Sequence, residues 1–303
     1  MKALFAAPES SWPAWQAPLL RECDGVAEVV LEADPGEVDA IIYAPGGGLR
    51  DFTPFTRARL VQSLWAGVES IVTNPTLTQP LARMVDPGLA LGMRDYCLGW
   101  ALRLHLGMDL YAQDSVWRNA LTPPLARERR VTVLGMGELG RFVAQGLKAA
   151  GFDVAGWSGS GRPVEGIAVF AGPDLDEALA RADLLVCLLP DTPATRDLLD
   201  AARLALLPKG AAIINPGRGT LIVEAALLAA LESGALSHAV LDVFRTEPLP
   251  PGHPFWAHPG VTVTPHIAAE TRPETAALLV GENLRRLRDG CPILHLVDRA
   301  AGY

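Results

Sequence analysis

Apolar and polar positions follow two alternating patterns along the chain. Short apolar runs of strand length are separated by stretches in which apolar residues recur at helical spacing. In the first third of the chain the pattern predicts strands at residues 2–7, 27–31, 40–43 and 69–73, and helices at residues 12–21 and 56–63. Because strands that alternate with helices form parallel sheets with helices on their faces, we expect a small open α/β domain here.

The same alternation resumes after a long helical stretch at residues 92–116 and a connection rich in Pro and Arg at residues 118–130. Strands are predicted at residues 131–134, 153–157, 182–189, 211–215, 239–244 and 261–264, and helices at residues 174–180, 196–206 and 223–233. A last helix at residues 271–288, with Pro273 at its start and Gly290 after its end, returns the chain to the first domain.

The fold class expected is therefore α/β, with two Rossmann-like or flavodoxin-like domains built on doubly wound parallel sheets. A nucleotide domain over residues 98–270 is inserted into a discontinuous substrate domain made of residues 1–97 and 271–303. The insertion follows from the position of a glycine-rich turn in the middle of the chain.

That turn lies in the segment 131–140, where a β-prone run leads directly into Gly135, Gly137 and Gly140 and then into a helical pattern. In a dinucleotide-binding unit the first glycine makes the turn, the second lets the backbone approach a pyrophosphate, and the third lets helix and strand pack closely. The phosphates would then lie at the helix N-terminus. With a strand before it and a helix after it, the motif predicts a dinucleotide site.

The end of the next strand predicts which dinucleotide is bound. An NAD-binding unit normally carries a carboxylate there for the ribose hydroxyls, but residues 157–162 read Trp-Ser-Gly-Ser-Gly-Arg. Ser158, Ser160 and Arg162 could instead donate to a 2′-phosphate, which favours NADP(H). The alternative is a flexible glycine-rich loop in which Arg162 points into water.

The composition of the chain argues against several classes of function. The 303 residues carry a formal net charge of −8 and a sequence pI near 5.3, which argues against a nucleic-acid partner. No apolar segment approaches membrane-spanning length, and the N-terminal apolar run is too short for a signal peptide, so we expect a cytoplasmic protein. The four cysteines lack Cys-x-x-Cys spacing and no histidines are spaced as metal ligands, so no metal is expected.

Three polar residues after predicted strands are candidates for catalysis, namely Arg218, Glu247 and His266. Hydride transfer to a ketone carbon leaves an oxygen that must be protonated, and a histidine is a natural donor. Glu247 would orient the imidazole, and Arg218 could grip a carboxylate in two-pronged fashion. Individually, Arg218 could cap a helix, Glu247 could be a turn residue and His266 could be structural.

Together these segments resemble the D-isomer-specific 2-hydroxyacid dehydrogenase family over nearly the whole chain, and most closely its glyoxylate/hydroxypyruvate reductase A branch. The segments that carry the resemblance are residues 135–140, 188–196, 215–219, 241–250 and 264–269. The resemblance implies that Arg218 binds substrate, that Glu247 and His266 form the acid/base pair, and that Asp242 holds the nicotinamide carboxamide.

The resemblance also implies binding roles for residues that spacing alone leaves open. From spacing, the stretch around Gly67 looks like an ordinary connection from a helix or turn into a strand; by resemblance it is a loop whose amides receive the substrate carboxylate. The implied substrate residues are Tyr43, Trp65, Ala66, Gly67, Val68 and Arg218. The cofactor residues predicted from the motif and the resemblance together are Gly135, Met136, Gly137, Glu138, Leu139, Gly140, Trp157, Ser158, Ser160, Arg162, Leu189, Pro190 and Asp242.

Two positions depart from the family pattern. Trp65 replaces a glycine that is usual in the substrate loop, and Gly159 stands where a phosphate-binding arginine is common. The expected activity is reduction of a small 2-oxo acid, glyoxylate or hydroxypyruvate, with NADPH preferred and NADH as second coenzyme, by a homodimer. The alternatives are an NAD-dependent dehydrogenase of a bulkier 2-hydroxy acid, and a non-catalytic dinucleotide sensor like the family's corepressor branch.

Overall fold

The computed structural model describes residues 1–110, 122–299 and 302. The chain divides into two compact units, of which one comprises Met1–Leu89 and Glu270–Tyr303 and the other Ala90–Ala269. The sequence places these divisions at residues 97/98 and 270/271.

Both units are built of strands and helices in alternation. The strands in chain order are β1 (Lys2–Ala6), β2 (Glu28–Val30), β3 (Ala40–Tyr43), β4 (Val61–Ser63), β5 (Leu81–Ala82), β6 (Arg130–Leu134), β7 (Asp153–Ser158), β8 (Ala168–Ala171), β9 (Leu184–Cys187), β10 (Ala211–Asn215), β11 (Leu236–Leu241) and β12 (Val261–Val263). The helices are α1 (Trp12–Cys23), α2 (Glu69–Val72), α3 (Pro87–Leu106), α4 (Glu138–Ala149), α5 (Leu175–Ala180), α6 (Ala201–Leu204), α7 (Glu224–Glu232), α8 (Pro254–Ala257) and α9 (Pro273–Asp289).

The first unit has a parallel sheet in the order β2-β1-β3-β4-β5. Helices α1 and α9 cover one face with buried side chains such as Leu19 and Val280. The two helices approach so closely that a Cβ added at Gly281 would lie 2.5 Å from the carbonyl oxygen of Glu22. The N-terminal and C-terminal parts of the chain therefore share one core, as the discontinuous domain requires.

Two predictions for the first unit are wrong. Residues 69–73 contain the short helix α2 and not a strand, and residues 56–63 contain turns followed by strand β4 and not a helix. The β-branched pair Ile71 and Val72 favours a strand by propensity, but their amides donate to the carbonyl of Val68 at 3.0 and 2.8 Å. The order at Gly67 is therefore strand, loop and helix.

The second unit has a seven-stranded parallel sheet in the order β12-β11-β10-β9-β6-β7-β8. Buried clusters cover both faces of this sheet, so the expected doubly wound α/β architecture is confirmed. The strand order reverses between β6 and β9, and such a switch point is where open α/β sheets bind ligands at the carboxyl ends of their strands.

Most predicted elements of the second unit are present with boundaries shifted by a few residues. The exceptions are β8 and α8, which were not predicted, and the helix expected at residues 196–206, which is confined to α6. Asp200 caps that helix by accepting from the amide of Arg203 at 2.9 Å. The predicted long helix is α3, and the expected continuation at residues 111–116 lies outside the described residues.

The last helix, α9, begins at Pro273, and Gly290 ends it in the left-handed conformation with φ 71°, as the sequence predicted. Over the described part of the chain, no helix combines the length and apolar character that crossing a bilayer demands.

Candidate active site

The three predicted catalytic residues follow three neighbouring strands of the second unit. Arg218 follows β10, Glu247 follows β11 and His266 follows β12. Because these strands are adjacent and parallel, the residues lie at the same carboxyl edge of the sheet.

Glu247 and His266 form a direct pair. Nδ1 of His266 lies 2.8 Å from Oε2 of Glu247, and the other carboxylate oxygen of Glu247 accepts from the amide of Phe244 at 2.9 Å. The two side chains are 36% and 54% exposed, so the pair is open to a ligand while its geometry is held from the protein side. The carboxylate fixes the ring orientation and leaves Nε2 as the nitrogen that can exchange a proton with a substrate.

The loop that carries His266 is held by a buried carboxylate. Asp242 is fully buried, and its Oδ1 accepts from the hydroxyl of Thr264 at 2.6 Å and from the amide of Ile267 at 2.9 Å. Its Oδ2 accepts from the amide of Ala268 at 2.9 Å. The amide of His266 donates to the Asp242 carbonyl at 2.9 Å, while His266 itself has φ 53°. Asp242 thus holds a backbone conformation that a non-glycine residue rarely adopts.

The loop that carries Arg218 is fixed by Asn215, which is buried. The Asn215 side chain donates to the Arg218 carbonyl at 3.0 Å and accepts from the amide of Gly217 at 3.2 Å. The Arg218 guanidinium donates to the Gly217 carbonyl at 2.7 Å. A Cβ added at Gly219 would lie 2.1 Å from the carbonyl carbon of Phe244, so this loop packs directly against the segment that leads to Glu247.

Arg245 ties the same two loops together. Its Nη2 donates to the carbonyls of Ile222 at 2.8 Å and Thr220 at 3.3 Å, and it forms an ion pair with Asp197. Arg245 therefore joins the segment that leads to Glu247 to the residues that follow Arg218.

A second carboxylate lies near Arg218. The Arg196 guanidinium, followed by the Thr220 hydroxyl and the charge of Arg218, keeps the pKa of Asp191 below its usual value despite partial burial. Asp191 belongs to the segment after β9 that also contains the predicted cofactor residues Leu189 and Pro190.

The glycine-rich turn has the close approaches expected of a dinucleotide-binding unit. Gly135 has φ 99°, and a Cβ there would lie 2.6 Å from the carbonyl oxygen of Leu188, while a Cβ at Gly140 would lie 1.6 Å from the carbonyl oxygen of Gly135. A Cβ at Gly137, by contrast, would meet no atom within 4 Å. Gly137 immediately precedes α4, so the open space lies where a pyrophosphate would approach the helix N-terminus.

The other residues of this turn have different surroundings. Met136 is buried and packs its side chain across Gly156 of β7, where an added Cβ would lie 2.2 Å from the sulfur. Glu138 forms an ion pair with Arg141 on the first turn of α4, and Leu139 packs against the buried cluster beneath the sheet.

The end of β7 places polar groups at the expected position for the coenzyme ribose. The Trp157 ring is buried, and its Nε1 donates to the carbonyl of Gly172 at 3.3 Å. Ser158 turns the chain, its hydroxyl accepting from the amide of Gly161 at 3.1 Å. Ser160 and Arg162 are exposed on the loop that follows.

The predicted substrate residues of the first unit lie at the ends of its adjacent strands β3 and β4. Tyr43 pairs in register with Ser63, and its buried ring lies 5.8 Å from that of Phe52, measured between centroids. The Ser63 hydroxyl accepts from the Trp65 amide and donates to the Trp65 carbonyl, both at 3.0 Å. The Trp65 ring is 50% exposed, and Ala66, Gly67 and Val68 complete the loop before α2. Their binding of substrate stays a prediction.

No cluster of three or more potential ligand side chains for a metal ion occurs among residues 1–110, 122–299 and 302. Cys23, Cys97 and Cys187 are buried and Cys291 is exposed, all as free thiols. Burial raises the pKa of the Cys23 thiol to about 11, which makes it unreactive at neutral pH.

Comparison with known proteins places this geometry in a family. Residues 97–268 match the model of the NAD-binding domain of D-isomer-specific 2-hydroxyacid dehydrogenases. The chain belongs to the D-isomer-specific 2-hydroxyacid dehydrogenase family. It is 42% identical to the glyoxylate/hydroxypyruvate reductase A of Serratia proteamaculans over 258 residues, which cover 82% of each chain. Identity to the protein of the same name from Yersinia enterocolitica is 39% over 80% of this chain and 81% of that protein.

Solved structures of this family agree with the fold. A D-isomer-specific 2-hydroxyacid dehydrogenase from Xanthobacter autotrophicus, in complex with NADPH and MES, has 38% identity and a TM-score of 0.93, covering 100% of this chain and 99% of its own. An NADPH-dependent glyoxylate/hydroxypyruvate reductase from Sinorhizobium meliloti, in complex with NADP and sulfate, has 36% identity and a TM-score of 0.89 at the same coverage. As a member of this family, the protein is an NAD(P)-dependent 2-hydroxyacid dehydrogenase or 2-oxoacid reductase.

Several residues that shape the site had no assigned role in the sequence. Asn215 and Thr264 each stand at the start of a motif of the D-isomer-specific 2-hydroxyacid dehydrogenases, and their position as polar residues after an apolar strand was the available signal. Arg245 and Tyr96 gave no such signal, because their partners are 23 to 168 residues away in sequence.

Proposed function

We propose that the protein reduces a small 2-oxo acid, glyoxylate or hydroxypyruvate, to the D-2-hydroxy acid with NADPH. The observation that carries this proposal is the 2.8 Å pair of Glu247 and His266 at the same sheet edge as Arg218. A proton donor and a cation that grips carboxylates are the two groups that 2-oxo acid reduction needs from a protein. The similar reductases from Serratia and Sinorhizobium, which carry these substrates in their names, support the choice of substrate.

The residues at the glycine turn fit a dinucleotide. The open space beside Gly137 and the helix start at Glu138 would receive the pyrophosphate, and Ser158, Ser160 and Arg162 would receive a 2′-phosphate. The Xanthobacter and Sinorhizobium structures, which contain NADPH and NADP, support NADPH as the preferred coenzyme. When bound, NADPH supplies the hydride that adds to the ketone carbon.

His266 would complete the reaction from the protein side. With Nδ1 bonded to Glu247, the proton on Nε2 passes to the substrate oxygen as the hydride adds to the carbon, and the ring then takes a proton from solvent. Glu247 would hold the ring through Nδ1, which leaves Nε2 for the substrate. Arg218 would bind the substrate carboxylate, the ketone oxygen or both, which orients the carbonyl toward the imidazole.

Further roles from the family resemblance remain proposals. Binding of substrate by Tyr43 and by the loop from Trp65 to Val68 belongs to this group, as do the contacts of Leu189, Pro190 and Asp242 with the nicotinamide end of the coenzyme. Both carboxylate oxygens of Asp242 already accept bonds from the His266 loop, so only their remaining lone pairs could accept from a carboxamide. A homodimer and a cytoplasmic location are likewise proposed.

The test is the initial rate of NADPH oxidation by purified protein with glyoxylate, hydroxypyruvate and phenylpyruvate, each repeated with NADH. Fast NADPH oxidation with the two small acids is the expected result. Preference for phenylpyruvate or NADH would overturn the proposed substrate or coenzyme and leave the reaction class intact. Tight NADPH binding with no turnover on any acid would identify the protein as a dinucleotide sensor.

A further inference from the structure

A tyrosine on helix α3 reaches the base of the His266 loop. The hydroxyl of Tyr96 lies 2.7 Å from Oγ1 of Thr264, although the two residues are 168 positions apart in sequence. Thr264 is the first residue after β12 and stands two positions before His266. The contact therefore joins helix α3 to the segment that carries the proposed proton donor.

The direction of these hydrogen bonds follows from the partners. Asp242 presents acceptor oxygens, so the single hydroxyl proton of Thr264 goes to Asp242 Oδ1 at 2.6 Å. The Thr264 oxygen can then only accept from Tyr96, which makes Tyr96 the donor. A chain of donated bonds runs from Tyr96 through Thr264 to Asp242, and Asp242 in turn holds the amides of Ile267 and Ala268.

The tyrosine is suited to remain a donor. Burial is the main cause that raises the pKa of Tyr96 far above its ordinary value, and the nearby charge of Asp242 acts in the same direction. The phenol therefore keeps its proton at neutral pH. Its ring is fixed by an edge contact with Trp100, at 6.3 Å between centroids.

We propose that Tyr96 is a positioning residue for His266. By donating to Thr264, it fixes the direction of the Thr264 hydroxyl and so completes the set of bonds through which Asp242 holds the His266 loop. The strained φ of 53° at His266 persists because these bonds over-determine the loop. This inference rests on the proposed role of His266 as proton donor, since a positioned imidazole matters only if it reacts.

The first test uses the protein without coenzyme or substrate. Hydrogen–deuterium exchange, measured by mass spectrometry, reports the amides of Ile267 and Ala268 that donate to Asp242. Tyr96→Phe and Thr264→Val should each raise the exchange rate of the peptide that contains these amides, on the order of tenfold. Unchanged protection in both variants would overturn the proposal.

The chain offers a matched control for the threonine. Thr262 lies on β12 two positions before Thr264, and its hydroxyl lies 2.8 Å from Nε2 of His238. Thr262→Val removes the same hydroxyl from the same segment without touching Asp242. It should leave the exchange of Ile267 and Ala268 at the wild-type rate, and a loss of protection equal to that in Thr264→Val would contradict the proposed route.

The second test is kinetic. Tyr96→Phe should lower kcat about tenfold, because a small misplacement of a reacting group is costly, while KM for NADPH stays unchanged. The solvent deuterium isotope effect on kcat should increase, since proton delivery becomes slower relative to the other steps. Thr264→Ser keeps the hydroxyl and should restore most of the turnover lost in Thr264→Val.

A double variant tests whether the tyrosine acts through the threonine. Adding Tyr96→Phe to Thr264→Val should lower kcat no further than Thr264→Val alone. Additive losses would mean that Tyr96 acts by another route and would overturn the inference.

Failure here can be separated from failure of the proposed function. If His266→Gln abolishes turnover while Tyr96→Phe is neutral in both exchange and kcat, the positioning role is wrong and the proton donor stands. If His266→Gln retains wild-type turnover, His266 is not the proton donor and the positioning role loses its basis. If the wild-type protein turns over none of the 2-oxo acids, the proposed function is wrong, and the exchange measurement still tests whether Tyr96 holds the His266 loop.

Discussion

Nδ1 of His266 lies 2.8 Å from Oε2 of Glu247, and both residues belong to loops that are held by further hydrogen bonds. The Glu247 carboxylate also accepts from the amide of Phe244, and the backbone of His266 is held by the carbonyl of Asp242. An exposed ion pair by itself contributes little to stability. We therefore propose a chemical role for this pair and not a stabilising one.

Arg162 should decide coenzyme preference. Arg162→Ala removes the exposed guanidinium that we propose for the 2′-phosphate, so KM for NADPH should rise about tenfold, as loss of one charge-assisted contact predicts. KM for NADH should change little because NADH lacks that phosphate. Initial rates over a range of each coenzyme measure both values.

The control for this prediction is Arg127→Ala, which removes an exposed arginine from another loop of the same unit. It should leave both KM values unchanged. An equal rise for NADPH and NADH in Arg162→Ala would show that Arg162 does not read the phosphate.

Trp65 should limit the size of the substrate if its loop binds the substrate as the family resemblance implies. Trp65→Gly removes a half-exposed ring without opening a buried cavity, so the fold should be retained. The ratio of kcat/KM for phenylpyruvate to that for glyoxylate should rise about tenfold. Trp256→Ala, which removes another half-exposed tryptophan, should leave this ratio unchanged. A constant ratio in both variants would exclude Trp65 from substrate selection.

Two glycines of the coenzyme turn should respond differently to alanine. Gly140→Ala places a methyl group 1.6 Å from the Gly135 carbonyl oxygen, which forces the turn apart and should lower the free energy of unfolding by about 3 kcal/mol. Gly137→Ala meets no protein atom, so its stability should be nearly unchanged while its affinity for NADPH falls. Thermal unfolding and fluorescence titration with NADPH separate the two effects. If both variants lost stability equally, or both kept their affinity for NADPH, the proposed roles of Gly140 in packing and of Gly137 in coenzyme binding would be wrong.

Two histidines, the buried His105 and the half-buried His238, should make stability depend on pH. Burial foremost lowers the pKa of His105, with the nearby Arg129 acting in the same direction, and burial likewise lowers the pKa of His238. In the unfolded chain both titrate near 6.5, so below that pH the unfolded state binds more protons than the folded one. Stability is therefore fully present above about pH 6.5 and falls as the pH drops toward the folded-state pKa values.

The measurement is the melting temperature between pH 7.5 and pH 5.5 for the wild type and for His105→Gln. Between pH 7.5 and pH 5.5 the melting temperature of the variant should fall less than that of the wild type, because glutamine takes up no proton in this range. If the melting temperatures of the two proteins fall equally with pH, His105 does not contribute to the pH dependence of stability.

The sequence predicted the central strands β6, β9 and β10 of the second unit well because they are mainly apolar and almost entirely buried. Arg218, Glu247 and His266 could be proposed together because each is a polar residue that follows a predicted strand. Strand β4 was missed because Gln62 and Ser63 are polar although buried. The Gln62 side chain donates through Nε2 to the Ser63 carbonyl at 2.9 Å. Its Oε1 accepts from the side chain of Asn283 at 2.7 Å, a residue 221 positions away in sequence.

The hydrogen bonds that hold the His266 loop could not be predicted from the sequence pattern. The positive φ of His266 has no glycine to mark it, and the bonds that maintain it join Asp242, Thr264 and Tyr96 from three separate elements. Hydrogen bonds between buried polar groups that are far apart in sequence depend on tertiary packing, and the local sequence pattern does not predict them.

The most direct test of the proposed reaction compares two histidines that each pair with a glutamate. His266 pairs with Glu247, whereas Nε2 of His253 lies 3.5 Å from Oε2 of Glu224, and neither residue of this second pair is among the proposed catalytic residues. His266→Gln should lower kcat for NADPH-dependent glyoxylate reduction by about 10²- to 10⁴-fold, with NADPH affinity unchanged, because it removes the proton donor alone. His253→Gln should keep wild-type turnover. If His266→Gln retained its kcat, or lost NADPH affinity in parallel, His266 would not be the proton donor.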